Sequence, residues 1–368
     1  MEISQALAQA RPEAAVAGGS TVWMNGRRWD LTWIVGSAVI VPGVVTLVLA
    51  GAPSGLLDIG ITALVGGPHL FSTYTVTYFD PQFRRAHLGG LVAVTLLIPG
   101  LVIYGAIAHF QVLVSVFIFW ASLHVLQQNA YLADVYRKRG GRAEPWWSRW
   151  VDYGMLMLSF YPTAFYRLVH HDFKVANVPV LVPEPLLGPA TYAVVWSVFS
   201  AFTVMWIWKT WREWREGRLN GPKTLLIAVT TLIAFFTPVV EGRRLELSFQ
   251  AVNAWHSFQY LGIVWLVQKL RRERGQLRSP TMAWLVAPRR GWRLYAACAV
   301  VTVALIMLIG VVKQLDPLHL QPNQYYFMMV LSALLIHYAL DAYLFGFSLL
   351  DRARRLDLPY LAPAVPAA

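Results

Sequence analysis

Residues 88–139 read LGGLVAVTLLIPGLVIYGAIAHFQVLVSVFIFWASLHVLQQNAYLADVYRKR. No Asp, Glu, Lys or Arg occurs in this stretch before Asp134, and Arg137, Lys138 and Arg139 close it. A hydrocarbon core of about 30 Å is crossed by roughly 20 apolar residues rising 1.5 Å each, so the stretch supplies two crossings in succession. The basic cluster that ends it is of the kind that stays on the cytoplasmic side of a membrane.

Runs of the same character recur outward from it, at roughly 31–51, 56–79, 150–170, 190–210, 223–240, 249–270, 293–312 and 324–350. With the two in the quoted stretch, at roughly 88–109 and 110–135, they predict an all-α polytopic bundle of about ten spans. Charged residues make up 14% of the chain. A water-soluble domain carries about 25%, so most of this surface faces something other than water. No linker divides the runs. The expected organisation is an N-terminal segment over 1–30, one transmembrane domain over 31–350, and a tail over 351–368.

The distribution of charge tests the span count. With ten spans, all 31 Lys and Arg residues except Arg167, Lys174, Arg243, Arg244 and Lys313 fall on one side. That asymmetry predicts cytoplasmic termini and a multi-pass location in the inner (plasma) membrane, with the lipid bilayer as partner. The net charge of +12 therefore reports orientation and does not point to nucleic acid, which is not expected as a partner. The lone Cys298 forms no internal disulfide and excludes a cysteine-based zinc or iron–sulfur site within one chain. Residues 1–22 lack the basic, apolar and cleavage pattern of a removable signal peptide.

Ionisable groups inside a membrane are expensive and mark function by default. Of nine histidines, His87, His109 and His319 fall in turns, span ends or loops and read as ordinary. His69, His124 and His337 lie about thirteen residues from the outer ends of their spans, near a common depth of about 20 Å, and His256 lies about seven residues in. His170 and His171 cap the fifth span, either as further ligands or as an interfacial pair beside Asp172. Each deep histidine has a polar residue three or four positions on: Thr73 after His69, Gln128 after His124, Gln259 and Tyr260 after His256, Asp341 after His337. Such spacing places both side chains on one helical stripe. It suits a ligand beside a second ligand, or beside a group that fixes the imidazole tautomer.

A single intramembrane histidine more often bonds one helix to another. Several imidazoles with a carboxylate are the donor set of non-haem iron, with zinc, copper or manganese as alternatives. Two imidazoles on facing helices would also suit haem, and a histidine–aspartate chain would suit a transporter relay. The candidate ligands are thus His69, His124, His256, His337, Asp341, His170 and His171. Gln128 and Gln259 are expected to orient ligands. Tyr74 and Tyr260 are candidates to supply protons or hydrogen bonds, although Tyr74, with Tyr78, reads first as a lipid-facing belt or packing residue. Glu241 is expected to pair with Arg243 or Arg244.

Gly67-Pro68-His69 and the histidine-bearing helices around His124, His256 and His337-Tyr338-Ala339-Leu340-Asp341 resemble the bacterial membrane-integral carotenoid (beta-carotene) cleavage dioxygenases found beside rhodopsin genes. The likeness covers these short segments. The chain is longer than that family and has His337-x-x-x-Asp341 where a paired His-x-x-x-His would stand. The resemblance implies iron held by histidines from several helices, and oxygenase chemistry on an apolar small molecule that enters from the bilayer. An electron donor is a further possible partner.

Overall fold

The computed structural model describes residues 22–141, 144–170, 174–175, 178–240 and 245–345. Arg27–Leu49 (α1) and Gly55–Val76 (α2) come first. The short Pro81–Ala86 (α3) then leads into Leu88–Ala108 (α4) and Phe110–Arg139 (α5). Trp146–Leu158 (α6) and Tyr161–His170 (α7) follow, then an antiparallel pair of two-residue strands, Lys174–Val175 (β1) and Val178–Pro179 (β2). Pro189–Arg215 (α8), Gly221–Val240 (α9), Leu245–Glu273 (α10), Pro280–Leu285 (α11), Trp292–Leu315 (α12) and Pro322–Phe345 (α13) complete the order.

Residues 88–139 fold as two helices reversed at one residue. His109 leaves the helical region with φ −142° and ψ 49°, and its N–H still bonds the Gly105 carbonyl. Gly105 lacks a side chain where Leu113 of α5 comes close, so α4 and α5 pack on each other directly after the turn.

Among the described residues, eight helices are long and apolar enough to cross a membrane: α1, α2, α4, α5, α8, α9, α12 and α13. The other two expected spans are built differently. The one at 150–170 is divided into α6 and α7. Pro162 has no N–H and crowds the carbonyl of Leu158, which is where α6 stops. The one at 249–270 is the 29-residue α10, long enough to cross but polar, because His256, Ser257, Gln259 and Gln268 lie along it. Residues 1–21, Glu241, Arg243, Arg244 and the tail 351–368 lie outside the described part.

The polarity of the bundle is inverted relative to a soluble protein. Leu96, Leu97 and Leu101 of α4 and Val300 and Met307 of α12 are exposed, whereas His69, Gln128, Asn129, Gln259 and His337 are buried. Lipid replaces water at such a surface, and the polar groups gather inside, away from it. At the centre α10 packs on α2 and α5, and α13 packs on the same two helices. These four form a closed ring, and each contributes one of the deep histidines.

Candidate metal centre

The local course of α2 presents His69 to this ring. Over Thr62–Gly66 the helix widens into a π turn, and the Gly67 N–H bonds back five residues to the Thr62 carbonyl. Pro68 then removes the donor due to the Leu64 carbonyl. The Tyr295 hydroxyl of α12 donates to that carbonyl instead, at 2.7 Å. Gly67 is required where it stands, because a Cβ there would overlap the Thr302 side chain of α12. A π turn, a proline and a glycine thus bring α12 close behind α2 and turn His69 inward.

The four imidazoles converge. One ring nitrogen from each of His69, His124, His256 and His337 lies within 4.8 Å of the other three, and all four residues are buried. His69 Nε2 and His337 Nε2 are 2.8 Å apart. Ring centroids are separated by 4.5 Å for His69–His337, 4.8 Å for His69–His256 and for His124–His256, and 5.0 Å for His124–His337. Tyr338 stacks on His124 at 4.1 Å, and Tyr260 meets His69 edge-on at 4.4 Å. The expectation that His256 sits shallower than the rest gives way here. Helix α10 starts at Leu245, earlier than expected, which carries His256 down to the level of its partners.

Hydrogen bonding inside the cluster is incomplete. His124 Nε2, both ring nitrogens of His256 and Asp341 Oδ2 have no hydrogen-bond partner among the described residues. His124 Nε2 and Asp341 Oδ2 face each other at 3.8 Å. A buried polar group left unsatisfied costs about 1–3 kcal/mol, and the ring nitrogens that converge, one from each histidine, have room for a common partner among them. A cation supplies one. The donor set therefore fits a metal ion.

Around the rings lies a second layer. His337 Nδ1 is 2.7 Å from Thr73 Oγ1, which is 2.6 Å from the Tyr260 hydroxyl. Tyr260 donates to Asp341 Oδ1 at 2.6 Å. Gln128 Nε2 donates to the His256 carbonyl at 3.2 Å and to Gln259 Oε1 at 3.0 Å. Gln259 donates in turn to the Ile34 carbonyl of α1 at 2.6 Å, where that helix is wound as a π turn. The two glutamines hold α5, α10 and α1 together beside the site, and Gln128 bonds the backbone of His256, not its ring.

The structure thus brings together His69, His124, His256, His337, Asp341 and Tyr260, with Gln128 and Gln259 alongside. Tyr74 stands apart, since its hydroxyl donates to the Ala333 carbonyl of α13 at 2.8 Å. His170 ends α7, which packs on α8 and α9; its side chain and His171 lie outside the described residues.

Two features were not foreseen. Spacing pairs Thr73 with His69 on its own helix, yet it bonds His337 across the bundle. The basic stretch after α5 also belongs to a buried ion network at the ends of α5 and α8 and the starts of α6 and α9. Asp152 accepts from Lys209 at 2.6 Å and from Arg137 at 2.6 Å, and lies 3.3 Å from Lys223. Glu144 accepts from Lys223 at 2.6 Å and from Arg137 at 3.0 Å. Asp134 pairs with Arg137 and Arg149, and Lys209 reaches Glu213 at 3.3 Å. Burial alone would raise the Glu144 carboxyl, but Lys223 and Arg137 together pull it down to about 2.

Comparison with protein-family models, with curated proteins and with solved structures finds no match to this chain.

Proposed function

We propose that the four-histidine cluster is the metal centre of an integral membrane oxygenase acting on a lipid-soluble substrate. The observation that carries the reading is the convergence of four buried imidazoles, from four different helices, within 4.8 Å. Non-haem iron is the ion we favour, because oxygenase chemistry on an apolar molecule needs an ion that leaves coordination positions open. Iron, when bound, supplies the binding and activation of O₂. Zinc, copper or manganese would accept the same donors. Haem fits less well: His69 and His337 meet nitrogen to nitrogen at 2.8 Å, and the edge-to-face rings leave no slot for a porphyrin.

The residues around the ion have separate tasks. His69, His124, His256 and His337 bind it. Thr73, Tyr260 and Asp341 orient His337, while Gln128, braced by Gln259, fixes the backbone that carries His256. Lipid-facing leucines and valines on the outer helices exclude water, and an apolar substrate reaches the centre laterally from the bilayer. Our topology has ten crossings, with α6–α7 as one broken crossing and α10 as the polar one. The ion network and both termini are then cytoplasmic, in the plasma membrane.

The test is elemental analysis of detergent-purified protein, with the absorbance spectrum and the co-purifying lipid measured on the same sample. About one iron per chain without haem absorbance is the expected result. Metal-free protein that transports protons or ions would replace this reading with a histidine relay.

A further inference from the structure

A neutral imidazole offers one lone pair and one N–H, so a ligand histidine is useful only in the correct tautomer. His337 turns Nε2 toward His69 and the centre of the cluster, and Nδ1 toward Thr73. The neighbouring groups form a chain of short contacts, from His337 Nδ1 to Thr73 Oγ1 at 2.7 Å and to Tyr260 Oη at 2.6 Å. The last link, from Tyr260 to Asp341 Oδ1, is 2.6 Å. A second, longer contact joins Thr73 directly to Asp341 Oδ1 at 3.2 Å. Every member is buried.

Two directions of donation satisfy such a chain. A carboxylate at its end only accepts. Tyr260 then donates to Asp341, Thr73 donates to Tyr260, and Nδ1–H of His337 donates to Thr73. In this direction the lone pair of His337 lies on Nε2, facing the other imidazoles. In the reverse direction, which needs a proton on Asp341, Tyr260 donates to Thr73, Thr73 donates to Nδ1, and Nε2–H is driven into the cluster, where it would repel a cation.

We infer that Thr73 is a positioning residue: through Tyr260 and Asp341 it holds His337 in the tautomer that ligates by Nε2, and Asp341 acts from outside the ligand set. The inference rests on the metal-centre reading proposed above. Of the three, Thr73 is the one within hydrogen-bond distance of the ring, at 2.7 Å against 3.6 Å for Asp341 Oδ1, and its hydroxyl lies within reach of both Tyr260 and Asp341. Partners that fix a ligand histidine typically change metal affinity by about 10- to 100-fold when removed.

The experiment is a titration of metal-free, detergent-purified protein with Co(II) against a competing chelator, following the visible cobalt bands. It compares wild type, Thr73→Val, Thr73→Ser and Tyr260→Phe, and the unfolding midpoint of each metal-free variant checks that it is folded. Thr73→Val, nearly the same shape without the hydroxyl, is expected to weaken Co(II) by about 10- to 100-fold and to alter its bands. Thr73→Ser restores affinity to within about threefold, because the chain is intact. Tyr260→Phe, which leaves the 3.2 Å contact from Thr73 to Asp341, falls between the two. Wild-type affinity in both Thr73→Val and Tyr260→Phe overturns the inference, as does Thr73→Ser binding no better than Thr73→Val. If Thr73→Val does not fold, wild-type affinity in Tyr260→Phe alone overturns it. A wild type that binds no Co(II) refutes the metal centre itself, an outcome distinct from the others.

Discussion

His256 has the least support of the four imidazoles, since neither ring nitrogen finds a hydrogen-bond partner among the described residues. A histidine kept there only to join helices would be bonded to one of them. His256→Ala and His124→Ala are therefore expected to lose most of the bound metal, because each removes a ligand from a closed set. Tyr74→Phe is expected to keep it and to lower stability by about 1 kcal/mol, the usual worth of one hydrogen bond. Metal content and unfolding midpoints of the purified variants check both outcomes. Part of this was legible in the sequence: spacings of four put Tyr260 beside His256 and Asp341 beside His337, and both reach the cluster. Spacing reports neighbours on one helix only. The contact of Thr73 with His337 is set by the crossing of α2 and α13, so no pattern along the chain announces it.

The helix that matters most is α2. Its π turn over Thr62–Gly66 and the proline after it free the Leu64 carbonyl, and α12 answers with Tyr295. Gly67 allows that approach, because a Cβ there would meet Thr302. Gly67→Ala is expected to push α12 outward at about 1–3 kcal/mol, the range for overpacking, and to reduce metal retention by shifting His69. Thr302→Ala in the same chain is expected to recover part of the stability. Unfolding midpoints of the single and double variants measure this, and equal loss in both would show that the close approach is not the cause. Gly67-Pro68-His69 stood out in the sequence as a motif, whereas the π turn did not, since nothing in Thr62–Gly66 distinguishes it from ordinary helix. The division of α6 from α7 had a signal in Pro162, but the apolar residues on either side of it read as one run.

Across the whole molecule, the inverted polarity was readable from composition and charge placement, and so was the succession of long apolar helices. The ion network was not. Asp134 and Asp152 lie on one pair of consecutive helices, Lys209 and Lys223 on another pair later in the chain, and individually they look like solvated ends. Folding buries them together: Asp152 and Lys223 are fully buried, and the four carboxylates Asp134, Glu144, Asp152 and Glu213 balance Arg137, Arg149, Lys209 and Lys223. Removing one partner from a buried pair costs about 3–5 kcal/mol, because the other charge is stranded. Asp152→Ala takes one carboxylate from Arg137, Lys209 and Lys223 at once and leaves the network one negative charge short, with Lys209 kept only by Glu213 and Lys223 only by Glu144, so a fall in the unfolding midpoint is expected. Glu144 adds a dependence on pH. Its folded value is depressed from an ordinary 4.5 to about 2, so its pairing stabilises the fold fully above the ordinary value and is lost as pH falls toward the lower one. The midpoint is expected to hold between about pH 7 and 5 and to drop below about pH 4, with a smaller drop in Glu144→Gln.

The convergence of four imidazoles on one ion is tested most directly by X-ray absorption at the metal edge of the loaded protein, which counts imidazole ligands and measures their distances. A shell of four imidazole nitrogens at about 2.0–2.2 Å, lost in His256→Ala, is the predicted result. A shell of water or carboxylate oxygens with at most one imidazole, unchanged in His256→Ala, would contradict it, since that is the signature of an ion held at the surface.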